Sequence, residues 1–217
     1  MEKIEDKNLC KACGGFCCKK SGCDYYVEDF EDLSINGISK ALENGNISVV
    51  AALDFKRIKG GKLIVVPLLY LRARNTEREV IDLLSMKTKC SMLTETGCAY
   101  DINKRPSGGA KFIPMGKVGE CYFKENPMDE ILKWNQYQNT LNRIVKRYTG
   151  KSTDAVLRED VKKLIVNIIK EEYKGISKLE IEDVKNMLPL LIEAYPLETK
   201  EAIMETQTHT KRLSKNR

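Results

Sequence analysis

The stretch of sequence at residues 10–18 reads CKACGGFCC, and Cys23 follows it closely. Two cysteines separated by two residues can bring both thiolates to one metal ion through a tight turn. The glycine pair after them lets the next stretch of backbone approach closely, because glycine has no Cβ. Adjacent side chains such as Cys17 and Cys18 point in different directions, which favours a multinuclear cluster or two neighbouring sites over one tetrahedral zinc ion. Folding of the first half of the chain is therefore expected to centre on bound metal.

The remaining cysteines come from far along the chain, at Cys90, Cys98 and Cys121. Bringing distant cysteines to one site joins segments that are remote in sequence, so metal binding then contributes to folding. The single histidine, His209, lies in a polar C-terminal stretch, and the site is therefore expected to contain only thiolates. Thiolates suit iron–sulfur clusters and four-cysteine zinc sites alike. Because the eight cysteines exceed one four-thiolate site, the sequence favours an iron–sulfur cluster, with zinc as the alternative.

The chain is expected to be cytoplasmic and to have no membrane partner. Residues 1–8 are charged and lack the apolar segment of a secretory signal. The longest apolar run, residues 63–71, is interrupted by Pro67 and falls short of the roughly 20 residues that a membrane-spanning helix needs. In a reducing compartment, cysteine patterns bind metal or take part in catalysis more often than they form disulfides.

The composition changes near residues 124–127, where the cysteines end and long helix-compatible stretches begin. We therefore predict an α+β fold with two domains. A small cysteine-rich, metal-bound domain with short strands covers residues 1–124, and a helical bundle covers residues 125–217.

Local patterns place several elements in the first half. Ser34 is a suitable N-cap for a helix that ends at Gly45. Residues 62–74 are rich in β-formers and predict a strand after a turn at two glycines, with Pro67 marking an edge or a bulge.

A second strand is expected over residues 81–90, and a turn through residues 94–97 leads to Cys98. This pair would form a hairpin with a cysteine on each arm.

The second half shows apolar residues at three- and four-residue spacings, which predict helices. These helices are expected over residues 131–145, 156–169 and 181–194. Pro189 should kink the third helix and Pro196 should end it, and a polar fourth helix should follow.

The chain carries a net charge of +6 and one local basic cluster. A solvated strand edge protected by charge is the favoured interpretation; an acidic partner, a nucleotide or nucleic acid is the alternative. The cluster consists of Lys56, Arg57, Lys59, Lys62, Arg72, Arg74 and Arg78.

The ordered motifs resemble the YkgJ-type cysteine-cluster family over roughly residues 8–123. These motifs are the C-x2-C-x3-C-C run, Cys98-Ala99-Tyr100, Arg105-Pro106 and a final cysteine. Members of that family are described as zinc- or iron-chelating proteins and include the flagellin lysine N-methylases. The resemblance implies supporting places for Tyr100, Arg105 and Pro106. It implies metal-ligand places for Cys10, Cys13, Cys17, Cys18, Cys90, Cys98 and Cys121.

One departure from the family pattern leaves alternatives open. The family usually has a cysteine shortly after the Arg-Pro pair, with two residues between the proline and that cysteine, and this chain has Gly109 there. Either Cys23 replaces the missing ligand, or a cluster keeps an open coordination position, or one ligand is simply lost. Cys23 is also the first of the eight that we would interpret as an ordinary buried residue.

Two classes of function remain open from the sequence. The resemblance implies an enzyme, a protein lysine methyltransferase using S-adenosylmethionine, with Arg105 and Tyr100 beside the cofactor; this is the slightly favoured hypothesis. The other hypothesis is a non-enzymatic module in which metal holds the domain together and a surface binds protein or nucleic acid. The sequence does not indicate an oligomeric state.

Overall fold

A computed structural model describes residues 6–13, 15, 23–75, 78–84, 90–95, 97–101, 103–118, 120–123, 126–170 and 178–215. It confirms the predicted α+β class, with 51% helix and small antiparallel sheets.

The central element is a long antiparallel hairpin of strands β1 (Ile47–Arg57) and β2 (Leu63–Ala73). The register is continuous from the Ile47–Ala73 pair to the Arg57–Leu63 pair. The predicted strand and the predicted glycine turn are both confirmed, since β2 follows two glycines with positive φ. Strand β1 has no counterpart among the sequence predictions.

Two further segments extend this hairpin into a four-segment sheet. The segment from Cys23 to Tyr25 runs along the outer edge of β2, where Tyr25 N donates to Leu71 O at 2.9 Å. Residues 80–83 run along the outer edge of β1, where Val49 N donates to Val80 O at 2.8 Å. The base of the hairpin lies in the middle of this sheet and is buried, whereas its tip is largely exposed.

The continuous register also explains how Pro67 fits into β2. Backbone groups of alternate residues in a strand point to opposite edges, and those of Leu71 and Ala73 point to the outer edge. Pro67 shares that parity, so its missing N–H faces away from β1. Of the two possibilities predicted for Pro67, the edge is therefore confirmed and the bulge is wrong.

The predicted strand over residues 81–90 is wrong for its described part. Ile81 and Cys90 each make a single bridge, to Val49 and Asn75 respectively, and residues 85–89 lie outside the described residues. The hairpin after them consists of β3 (Leu93–Thr94) and β4 (Gly97–Cys98), so the 94–97 turn is confirmed. Only its second arm carries a cysteine, because Cys90 precedes the first arm.

A third pair of strands, β5 (Phe112–Pro114) and β6 (Cys121–Phe123), closes the first half. Its helices are α1 (Lys7–Cys13), α2 (Ile35–Glu43) and α3 (Ser107–Ala110). The prediction for α2 is confirmed, since the Ser34 hydroxyl accepts a hydrogen bond from Gly37 N at 3.2 Å.

The second half is helical, as predicted. The first predicted helix is divided by a 3₁₀ segment. Pro189 lies inside the third predicted helix. Pro196 begins a new helix, which a proline in the first turn can do. The helices are α4 (Pro127–Leu132), α5 (Gln138–Thr149), α6 (Thr153–Ile169), α7 (Lys178–Ala194) and α8 (Pro196–Lys215), with the 3₁₀ segment at Lys133–Tyr137.

One hydrophobic core joins the two halves. Trp134 is fully buried, and its Nε1 donates to Tyr25 O at 3.1 Å. The Gln138 side chain holds Leu69 at both backbone groups, accepting from its N at 2.9 Å and donating to its O at 2.8 Å. The core thus crosses residue 124, and the division into two domains there stays a prediction. No helix in the described part of the chain has both the length and the hydropathy of a membrane span.

Candidate metal centre

Three cysteines lie on segments that backbone pairing connects to the end of strand β2. Cys23 lies beside the last residue of this strand, with its carbonyl oxygen accepting from Ala73 N at 2.8 Å. Cys90 makes an antiparallel bridge to Asn75, two residues further along. Cys98 lies in β4, directly opposite Leu93. Long-range backbone pairing therefore joins segments whose cysteines are up to 75 residues apart in sequence.

The surroundings of Cys98 favour the protonated form of its thiol. Burial is the main cause that raises the pKa of the Cys98 thiol, and Cys23 and Cys90 act in the same direction. The Arg105 guanidinium opposes them. Thiolates gathered in this way repel one another, so they need a nearby cation to stay deprotonated. A metal ion is the strongest such cation.

Helix α1 carries two further predicted ligands to this region. It contacts β4, and its Cys10 and Cys13 are half-buried. Directly after the helix, Gly15 lies so close to the Leu93 side chain that an added Cβ would overlap it. After α1, the chain therefore passes beside the β3–β4 hairpin at Gly15.

The other predicted ligands are not brought into this group by the described residues. Cys121 is exposed in β6, opposite Pro114. Cys17 and Cys18 lie outside the described residues. Within the described ranges, no three cysteine, histidine, aspartate or glutamate residues form a group that could hold a metal ion. The described thiols do not by themselves form a metal site.

The short helix α3 packs directly against the segment that carries Cys23. Gly108 N donates to Asp24 O at 3.0 Å, and a Cβ on Gly108 would lie only 2.6 Å from that oxygen. A Cβ on Gly109 would overlap the Cys23 sulfur. Gly108 therefore has no room for a side chain, and the thiol of Cys23 occupies the space beside Gly109.

The carboxylate of Asp29 holds α3 in this place. It accepts from the Ser107 hydroxyl at 2.6 Å and from Ser107 N at 3.0 Å. It also accepts from Tyr26 N at 2.8 Å, within its own segment. Charged acceptors form the stronger class of hydrogen bonds, so Asp29 joins the Cys23 segment firmly to α3.

The two residues predicted to lie beside a cofactor are next to the cysteines. Arg105 Nη2 donates to Tyr100 O at 3.4 Å, and the Tyr100 hydroxyl lies 3.4 Å from that of Tyr25. Burial is the main cause that raises the pKa of Tyr25 far above its usual range. Tyr25 is therefore a neutral hydroxyl that can donate a hydrogen bond near Cys23.

A buried ion pair next to Cys23 was not foreseen from the sequence. Arg72 Nε donates to Asp24 Oδ1 at 2.6 Å, and its Nη2 donates to the Tyr70 hydroxyl at 2.8 Å. The Arg72 side chain is 7% exposed and that of Asp24 is 16% exposed. The pair fixes the segment next to Cys23 onto β2.

The predicted basic cluster is consequently not one surface. Arg72 is buried, and Arg57 forms two hydrogen bonds with the Glu193 carboxylate, at 2.6 and 2.9 Å. Lys56 lies 2.9 Å from Asp54. Paired cations on a strand edge fit the solvated-edge interpretation.

Comparison of the chain with models of known protein families, with curated proteins and with solved structures finds no match. The resemblance to the YkgJ-type family therefore rests on the motifs themselves.

Proposed function

We propose that this chain binds metal through a thiolate centre at the end of strand β2, and that the metal is an iron–sulfur cluster. The observation that supports the proposal is that backbone pairings connect the segments of Cys23, Cys90 and Cys98 to the end of one strand. Zinc in an all-thiolate site is the alternative.

The donor set agrees with such a group. Cys90 and Cys98 would be ligands, together with Cys10 and Cys13, whose helix contacts β4. Cys17 and Cys18 follow this helix in sequence, and Cys121 is the remaining ligand that the resemblance implies. Thiolate sulfurs are the donors that iron–sulfur clusters and zinc both accept. When bound, the metal would supply positive charge to the thiolates and join these segments.

Protonation connects metal binding to pH. Metal binds the thiolate form, and burial raises the pKa of Cys98, so binding at this residue must release a proton. Metal affinity should therefore rise with pH. Arg105 assists at this point, since its charge favours the thiolate.

Enzymatic activity is proposed on the resemblance alone. A protein lysine methyltransferase would place S-adenosylmethionine beside Tyr100 and Arg105, and the guanidinium fork is suited to a carboxylate. The alternative is a non-enzymatic module in which the metal supports the fold and a surface binds protein or nucleic acid. Calorimetric titration with S-adenosylmethionine distinguishes them, because only the enzyme should bind it.

The metal proposal is tested by purifying the protein without oxygen. We expect brown protein with broad absorption at about 400 nm, characteristic of cysteine-ligated clusters, and with iron and acid-labile sulfide in the same fractions. The matched control is the Cys90→Ser, Cys98→Ser double variant, which should be colourless. Colourless native protein with stoichiometric zinc would replace iron with zinc, and native protein without any metal would refute the centre.

A further inference from the structure

We propose that the exposed face of helix α5 binds a single strand of nucleic acid, with its basic side chains on the phosphates and the Tyr148 ring against a base. This inference goes beyond the proposed function and does not rest on bound metal. It follows from three observations: the charges of this helix, the absence of anionic partners for them among the described residues, and the position of Tyr148.

The charges around α5 are of one sign. Residues 131–153 contain five basic and no acidic residues. The buried residues of α5 are apolar and form one face of the helix. Arg143 and Lys146 lie three residues apart, so their side chains are neighbours on the helix surface, and both are exposed. Solvent therefore meets a positively charged helix face.

This charge is not neutralised within the described part of the chain. Arg143, Lys146 and Arg147 are exposed and form no salt bridge with a described carboxylate. The next helix, α6, differs in this respect, since its Arg158 and Lys162 each pair with two carboxylates. The cations of α5 can therefore take an anion from another molecule, and the guanidinium fork matches a phosphate group.

Tyr148 and Arg147 are both held at one residue of α2. The Tyr148 hydroxyl donates to Ser39 O at 3.4 Å, and Arg147 Nη1 donates to the Ser39 hydroxyl at 3.3 Å. Tyr148 nevertheless remains 38% exposed. An exposed aromatic ring beside basic side chains is a stacking surface for a base. Stacking needs an unpaired base, so the ring favours a single strand over a duplex.

The competing interpretation is that α5 presents an ordinary solvated face, as amphipathic helices do. Salt dependence separates the two. For single strands, the logarithm of the binding constant falls with the logarithm of salt concentration by about 0.7 per phosphate contact, so three cations on phosphates give a slope of about −2. A solvated face predicts no binding at all.

The test measures fluorescence anisotropy of labelled oligo(U) and oligo(dT) with the full chain at several salt concentrations. The double variant Arg143→Gln, Lys146→Gln removes two charges from α5. The matched control is Lys59→Gln, Lys62→Gln, which removes two exposed charges from the turn of the central hairpin. Tyr148→Leu removes the aromatic ring, and Tyr148→Phe keeps it. Urea unfolding and iron content are measured on every variant.

Both probes should bind, because phosphates and bases are common to them, and the tighter probe identifies the kind of strand. The α5 double variant should weaken binding about tenfold at physiological salt and make the slope shallower by about 1.4. Tyr148→Leu should weaken binding about tenfold, since each stacked base contributes on that scale. Tyr148→Phe and the hairpin control should bind like the native protein. Iron content should be the same in all variants.

Three results would overturn the inference. The first is no binding of either probe up to about 100 µM protein, the weak limit of non-specific nucleic-acid binding. The second is equal weakening in the two double variants, which would assign binding to net charge rather than to α5. The third is native binding in Tyr148→Leu, or equal affinity for a duplex of the same length, which would remove the stacked single strand. None of these results bears on the metal centre, which colour and iron content test separately.

Discussion

Replacing Asp24 by asparagine should destabilise the fold strongly, because it leaves the buried Arg72 charge without its anion. Two unit charges about 4 Å apart attract by about 4 kcal/mol at an effective dielectric constant of about 20. Removing one partner of a buried pair typically costs about 3–5 kcal/mol. The Asp24 side chain is 16% exposed, and the Tyr70 hydroxyl still accepts from Arg72. We therefore expect the lower end of that range, about 3 kcal/mol.

Urea unfolding followed by the fluorescence of the single tryptophan measures this loss. Trp134 is fully buried and donates to Tyr25 O, so it reports on the segment that Asp24 belongs to. The matched control is Asp54→Asn, since the Asp54–Lys56 pair lies on the same hairpin with both side chains 57% exposed. Exposed pairs contribute little, and this variant should unfold at the native midpoint. A loss below about 1 kcal/mol in Asp24→Asn, or equal losses in both variants, would refute the assigned role of the pair.

Two other predictions concern the contacts between the helices and the sheet. Gln138→Ala should lower the free energy of unfolding by about 2 kcal/mol, because two backbone groups of Leu69 lose their partner. The control is Gln136→Ala, at an exposed position of the same segment. Equal stability of the two variants would contradict this prediction. Burial raises the pKa of Asp160 to about 6, with Asp82 and Glu159 acting in the same direction and Lys163 opposing them. The native state therefore binds more protons than the unfolded state between about pH 4 and pH 6, so this residue lowers stability as pH rises through that window. Asp160→Asn should be more stable than the native protein above pH 6, by about 1–2 kcal/mol after allowance for partial exposure, and the two urea midpoints should converge towards pH 4. A pH-independent difference would count against this.

Much of the fold was predictable wherever the signal is local. Residues 62–74 combine β-formers with a preceding glycine turn, and β2 forms there. Ser34 has the side chain that an N-cap needs, and α2 begins directly after it. Strand β1 was missed because Ala51 and Ala52 weaken the β pattern in its middle. The glycine turn before β2 nevertheless indicated β1, since a glycine turn before a strand implies a partner strand on its other side.

The thiolate centre stays a prediction from the sequence, and the structure adds the position of Cys23. The spacing of the cysteines indicated a thiolate site, whereas the position of Cys23 depends on its segment joining the edge of β2. Such pairing is long-range, and no local pattern specifies it. For the same reason Arg72 appeared as one member of a basic cluster. Its partner Asp24 lies 48 residues earlier, and only the sheet brings them together.

The arrangement of the thiols indicates where metal would contribute most to folding. Cys23 is held by backbone pairing, by an adjacent ion pair and by α3, so its segment is already ordered without metal. Cys10 and Cys13 lie half-buried on a seven-residue helix, a length at which helices have little stability of their own. Ordering that helix costs conformational entropy, which bound metal would offset by joining it to the preformed thiols. Metal would therefore stabilise α1 far more than the sheet.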